Sequence, residues 1–212
     1  MPQRKVTSRQ TNYLWSLIDA QYLYDDEDNT PVPRENVVWL ARYLADSTDQ
    51  ILENLVVAFY NGDISFAECE RAFQVALKHA YNAELALGAG GWDRVGFDDW
   101  GRNGWWLRRE YNFLSGFLGD IETGAVRSLN EARARARLYS GRAYSRFWEK
   151  DRQYRLTRHK WEWWSTVGDD RVCGDCEALE ASGRVPIGTL QTVPGAGDTV
   201  CLGNCRCEIG YE

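Results

Sequence analysis

The stretch SLNEARARARLYSGRAYSRFWEKDRQYR, residues 128–155, decides how the chain is read. Ala132, Ala136, Tyr139, Ala143 and Phe147 recur every three or four residues, the spacing that stacks side chains on one face of an α-helix. Ser128 with Glu131 forms the S-x-x-E pattern of a capping box, in which the two residues satisfy each other's free backbone N–H groups at a helix start. One long basic helix over about 128–157 is predicted.

Its charge stands out from the rest of the chain. Between Arg127 and Lys160 eleven Lys and Arg meet three acids, Glu131, Glu149 and Asp151, for a net +8; since the whole chain carries −6, the remainder carries −14. Arg133, Arg135, Arg137, Arg142, Arg146, Arg152 and Arg155, with Trp148 and Tyr154 among them, are the candidate contacts to DNA or an acidic partner. Guanidinium groups neutralise phosphates without reading base sequence. The same residues equally suit a solvated helix face, or ion pairs with the acidic remainder.

Upstream, the pattern is also helical. Tyr13, Leu14, Leu17, Ile18 and Tyr22 fall at helical spacing, and DDEDNTPVPRE, residues 25–35, interrupts them. Val37, Leu40, Leu44, Ile51, Leu55 and Phe59 form a second series, stopped by Asn61-Gly62-Asp63. Ser65 and Glu68 open a third helix as a capping box, and Gly88 to Gly91 close it. A fourth runs from about Asp99 to Ile121 with Trp105, Trp106, Leu107, Tyr111, Leu114 and Leu118, and Glu122-Thr123-Gly124 is its turn. Asp98-Asp99 reads as helix N-capping rather than as a catalytic dyad.

Downstream of Lys160 the character changes. KWEWWSTV alternates and is rich in aromatic and β-branched residues, as a strand requires, and CRCEIGYE supplies a second strand at the end. The predicted fold is therefore mainly α, of α+β type: a helical body over residues 1–159 and a small cysteine-rich β module over residues 160–212. A chain of 212 residues is long enough for one main core with such an appendage.

Five of the six cysteines lie in that module, and the sixth, Cys69, falls on the third helix as a small core residue. Cys173 and Cys176 form a C-x-x-C pair, and Cys201, Cys205 and Cys207 follow about 25 residues later. Two thiolate groups on tight turns, separated by a loop, are how small modules hold zinc tetrahedrally. The start, MPQRKVTSRQTNYLW, has no apolar leader, and no eighteen apolar residues run together, so a reducing cytosol and no membrane span are expected. That compartment weighs against disulfides, and a redox C-x-x-C would call for a βαβ context that the pattern lacks. Tetrahedral zinc uses four ligands, so one of the five is a spectator; Cys173, Cys176, Cys201 and one of the last two are predicted, with Cys205 ahead of Cys207.

Nothing in the sequence calls for an enzyme. The two histidines, His79 and His159, sit in no nucleophile motif, and there is no P-loop and no H-E-x-x-H. A cysteine-rich zinc site is of the closed, structural type.

The module carries a likeness. Asp169, Arg171, Cys173, Cys176, Pro186-Ile187, Pro194-Gly195, Gly197 and Asn204-Cys205-Arg206-Cys207 stand in the order D-x-R-x-C-x-x-C, Pro-Ile, P-G-x-G, N-C-R-C. This resembles the C-terminal module of phage head morphogenesis proteins, the MuF-like minor head proteins of tailed bacteriophages, and by pattern the likeness extends over about residues 55 to 212. Many members have His-Pro before the Asn-Cys-Arg-Cys. This chain has Leu202-Gly203 there, and Cys201 just before takes the place of that ligand. The resemblance implies a non-enzymatic minor capsid protein acting in head and procapsid assembly and associated with the portal protein or the capsid interior and its major capsid protein. Its location would be the virion head or procapsid, and the host cytoplasm during assembly, with packaged DNA within reach. The alternative is a zinc-containing DNA-binding protein without sequence specificity.

Overall fold

The computed structural model describes residues 32–212 and, before them, the backbone of three short strands, β1 (Lys5–Thr7), β2 (Leu14–Ser16) and β3 (Gln21–Leu23). These strands pair antiparallel in the order β1-β2-β3, with Val6 opposite Trp15 and Trp15 opposite Tyr22. The first expected helix is thus corrected: Leu14 and Tyr22 lie on strands, while Tyr13, Leu17 and Ile18 lie outside the described residues. Apolar residues spaced three and four apart also satisfy short strands divided by a turn, and here the β-favouring Val, Thr, Trp and Tyr prevailed over the periodicity.

The four long helices follow the sequence closely. α1 spans Arg34–Tyr60, α2 Phe66–Ala89, α3 Phe97–Glu122 and α4 Leu129–Arg155. The α2 capping box is complete, the Ser65 N–H donating to Glu68 at 2.8 Å and the Glu68 N–H to Ser65 Oγ at 3.3 Å. Gly90 ends α2 at φ 83°, a left-handed conformation that glycine adopts without strain. At α3 the cap is Gly96, whose N–H donates to Asp99 at 2.9 Å, so Asp99 does serve the helix start, from the third position rather than as the cap itself. At α4 Ser128 accepts from the Glu131 N–H, while Glu131 reaches back one residue further, to the N–H of Arg127.

α4 is the axis of the molecule, packed along α1 and α2, with α3 laid against α2. Its predicted apolar face is buried throughout. The first half of that face closes a core with Leu52, Val56, Phe73, Leu77, Leu114 and Phe117. The second half, Tyr144, Phe147 and Trp148, joins Val38 and Ala41 of α1 and Leu87 of α2 to Trp164, Cys176, Leu190, Val193 and Ile209 of the module. Each such side chain contributes about 1.5–3 kcal/mol by leaving water. Residues 160–212 therefore close their core with the helices instead of around themselves.

The module holds an antiparallel sheet in the order β5-β4-β6, made of Val185–Pro186, Trp161–Ser165 and Glu208–Tyr211. Along β4, Glu162 and Trp164 point inward and are buried, as a period of two dictates. Trp163 lies opposite Gly210, where any Cβ would run into the indole ring. Fold class is thus as predicted, helices with a small C-terminal sheet. Among the described residues, no helix is long and apolar enough to cross a membrane.

Candidate metal centre

The C-x-x-C pair does more than make a turn. Cys173 caps α5 (Gly174–Ala181) and Cys176 stands inside its first turn. The run Glu-Ala-Leu-Glu-Ala favours a helix, and Asp175 and Glu177 in the first turn oppose the positive end of its dipole. Cys201 and Cys205 flank a 3-10 turn, Leu202–Asn204, and Cys207 leads into β6. Three hydrogen bonds hold these pieces together. Asp175 accepts from the Val200 N–H at 2.8 Å, and Arg206 donates with both terminal nitrogens to Asp169 at 2.7 Å. Arg206 stands between two cysteines and Asp169 four residues before a third, so this fork fixes the two arms against each other. The Arg206 guanidinium holds the Asp169 carboxyl well below the usual carboxylate range.

Cys176 is the hub. Its Sγ lies 3.7 Å from that of Cys201 and 3.8 Å from that of Cys205. The thiols of Cys173, Cys176 and Cys201 lie within 4.8 Å of one another, as do those of Cys176, Cys205 and Cys207. Thiolates at about 2.3 Å from a tetrahedral metal stand about 3.8 Å apart, so the hub distances are those of a ligand set. All five thiols are free, as is Cys69, which is buried in the helical core with its Sγ 3.7 Å from the Leu55 carbonyl oxygen. The cluster can hold a metal ion. All five predicted cysteines are brought together, as two triangles that share the corner Cys176.

Without a cation the thiols compete for protons. A hydrogen bond from Cys207 pulls Cys205 down to about 5, and donating that bond pushes Cys207 up. Burial pushes Cys201 up to about 11 and raises Cys176 further. Burial acts against Cys173 too, yet hydrogen bonds from the backbone and thiol of Cys176 outweigh it and its thiol is lowered. Several adjacent thiolates repel, and a bound cation is what would let them ionise together.

The cysteine loop rests on α4 by backbone contact. A Cβ on Gly141 would strike the Gly203 carbonyl, one on Gly195 the Gly141 carbonyl, and one on Gly203 the Leu138 carbonyl. Leu202 takes a left-handed φ of 52° to bring Gly203 into this crossing. From the other side α1 clasps the same strand: Arg34 donates to the Ile209 carbonyl at 3.1 Å and Arg42 to that of Arg206. Sequence reasoning missed Arg34, Arg42 and Gly141, because nothing local marks a residue that serves a distant backbone.

The predicted arginine stripe is largely occupied within the chain. Arg135 pairs with Asp120 at 2.8 Å, Arg137 with Glu53, and Arg142 with Glu110 at 3.0 Å. Arg146 pairs with Glu149 at 2.8 Å and Arg155 with Asp151 at 3.2 Å. Arg152 donates to the buried Glu162 at 2.8 Å and to the Leu190 carbonyl at 2.8 Å. Arg133 buries its Nε without a hydrogen-bond partner. Of the readings open for these charges, ion pairing with the acidic remainder is the one this geometry favours. His79 is exposed and His159 lies by Tyr211, so neither histidine joins the cysteines.

Comparison with family models, with curated proteins and with solved structures finds no match to this chain.

Proposed function

We propose that this chain is a zinc-stapled, non-enzymatic structural protein of a tailed-bacteriophage head, a minor capsid protein of the MuF-like kind acting in head or procapsid assembly beside the portal or major capsid protein. The observation that supports it is the convergence of the motif residues. Asp169, Cys173, Cys176, Gly195, Cys201, Cys205, Arg206 and Cys207, far apart in sequence, meet in one joint where each holds the module together or against α4. None of them is left presenting a reactive group beside a general base, which suits assembly better than turnover.

Zinc is the metal that fits four thiolates in a closed site, with Cys173, Cys176, Cys201 and Cys205 as ligands and Cys207 in reserve. Metal analysis of the purified chain is expected to return one zinc per chain, kept in Cys207→Ser and lost in Cys176→Ser; full zinc content in Cys176→Ser would exclude the site. The head assignment is tested by counting this chain against portal and major capsid proteins in purified particles of its source. A fixed small copy number supports it. Absence from procapsids and virions discards it and turns attention to the alternative, DNA binding without sequence specificity, which the paired state of the α4 arginines supports less well.

A further inference from the structure

A cluster of cations without a direct ion pair lies on α3. Among the described residues Arg102, Arg108 and Arg109 of α3 are exposed and make no direct ion pair, although Asp99 and Glu149 lie within electrostatic reach of Arg102 and Glu110 within that of Arg109; the arginines of α4 are held by direct contacts. Large apolar surface lies with them: Trp105 is 57% exposed, Phe113 47% and Phe97 91%. Arg109 spreads over the Trp106 and Phe113 rings at 5.4 and 5.5 Å. Arginine with tryptophan and phenylalanine is the composition of an interface core.

Glycines make the same point. Gly88 and Gly141 sit inside helices because a crossing backbone leaves no room for a Cβ. Gly101, Gly104 and Gly116 sit inside α3 with nothing within 4 Å of where a Cβ would be. Each weakens the helix relative to alanine, and no contact among the described residues explains it.

We propose that the outer face of α3 docks on α5 of a second copy of this chain, head to tail. Charge selects this occupant. α5 and its approach carry Asp170 and Glu177 on exposed positions, beside Asp175 and Glu180, which already accept from Val200 and Thr166 and add negative charge, with the small Ala178 and Ala181 next to them to receive Trp105 and Phe113. An α3-to-α3 contact would set arginine against arginine; unlike faces avoid this and generate a ring or a chain of copies. Eight residues of helix are only about 12 Å long, so the contact falls short of the roughly 800 Å² per partner of a standard interface. It is therefore weak in solution, and it holds whether or not the chain is a head component.

Sedimentation equilibrium of the full metal-loaded chain from about 5 to about 500 μM, in low and high salt, tests it. The expected result is reversible association that salt weakens about tenfold or more. Arg102→Glu with Arg109→Glu should abolish it, as should Asp170→Arg with Glu177→Arg. Mixing those two monomeric variants should restore it, because each then offers the other an opposite charge. Trp105→Ala should weaken it with the charges in place. A chain monomeric throughout overturns the proposal, as does association indifferent to the α3 changes or variants that fail to rescue each other. A monomer that binds a single-stranded oligonucleotide through Arg102 and Arg109 overturns it as well, and gives the face to nucleic acid.

Discussion

The two halves of α4 are held by different physics. Ahead of Gly141 its buried face meets Leu52, Phe73, Leu77 and Phe117, an apolar contact that needs only shape and volume. Beyond Gly141 it meets a joint made of indoles, thiols, a buried ion pair and carbonyls in backbone contact. The first half tolerates exchange among similar side chains. The second depends on individual groups, because a buried charge or thiolate left without its partner costs more than any missing methylene.

Metal loss separates the halves most sharply. On the zinc proposal, chelation or Cys173→Ser with Cys176→Ser removes a contribution of about 10 kcal/mol. The module is expected to unfold while α1 to α3 keep their helix content, seen as lost near-ultraviolet dichroism with much of the far-ultraviolet signal retained. Unchanged melting after metal loss would refute the difference. Acid acts in the same direction. With Cys201 near 11 and Cys176 above it, protons compete with the metal for the thiols, so metal affinity falls as pH falls.

The buried ion pair comes next. Arg152→Met leaves Glu162 buried and charged without its partner, at about 3–5 kcal/mol in denaturant unfolding. Adding Glu162→Leu should recover most of that loss, and a double variant as unstable as the single one would show that shape, not charge, holds this joint. Gly141→Ala, which drives a methyl into the Gly203 carbonyl, is expected to cost about 1–3 kcal/mol, whereas Gly116→Ala on the open side of α3 should stabilise the monomer.

The smallest effect lies in the helical half. Glu84 is buried with neither carboxylate oxygen hydrogen-bonded, and burial raises its pKa in the folded state well above 4.5. The folded state thus keeps a proton that the unfolded state releases. Stability from this group is fully present below the unfolded value and is lost as pH rises toward the folded one. Glu84→Gln is expected to stabilise by about 1 kcal/mol at pH 7 and to lose that advantage near pH 4. An equal gain at both pH values would mean that the carboxyl is neutral or ionised throughout.

Much of the helical architecture was legible because its signals are local. The 3.6-residue period, Ser65 with Glu68, Ser128 with Glu131 and the stops at Asn61-Gly62-Asp63 and Gly90 act within one or two turns, and the helices begin and end there. The same local logic misled over residues 13–22, where Leu14 and Tyr22, placed at helical spacing, lie on two strands. α5 was readable in Glu-Ala-Leu-Glu-Ala, but the C-x-x-C drew attention to a turn alone. The cysteines gave away the metal centre by number and spacing.

The sequence by itself therefore determined the four long helices, the strands β4 and β6 and the five thiols that gather, since periodicity, caps and ligand spacing are properties of neighbours along the chain. Only the tertiary structure decided that Cys176 is the hub, that the α4 arginines turn to Asp120, Glu53, Glu110 and Glu162, and that Gly141, Gly195 and Gly203 make one crossing. Ion pairs and backbone contacts join residues tens of positions apart. Their partners are chosen by packing, and packing is settled when the whole core closes.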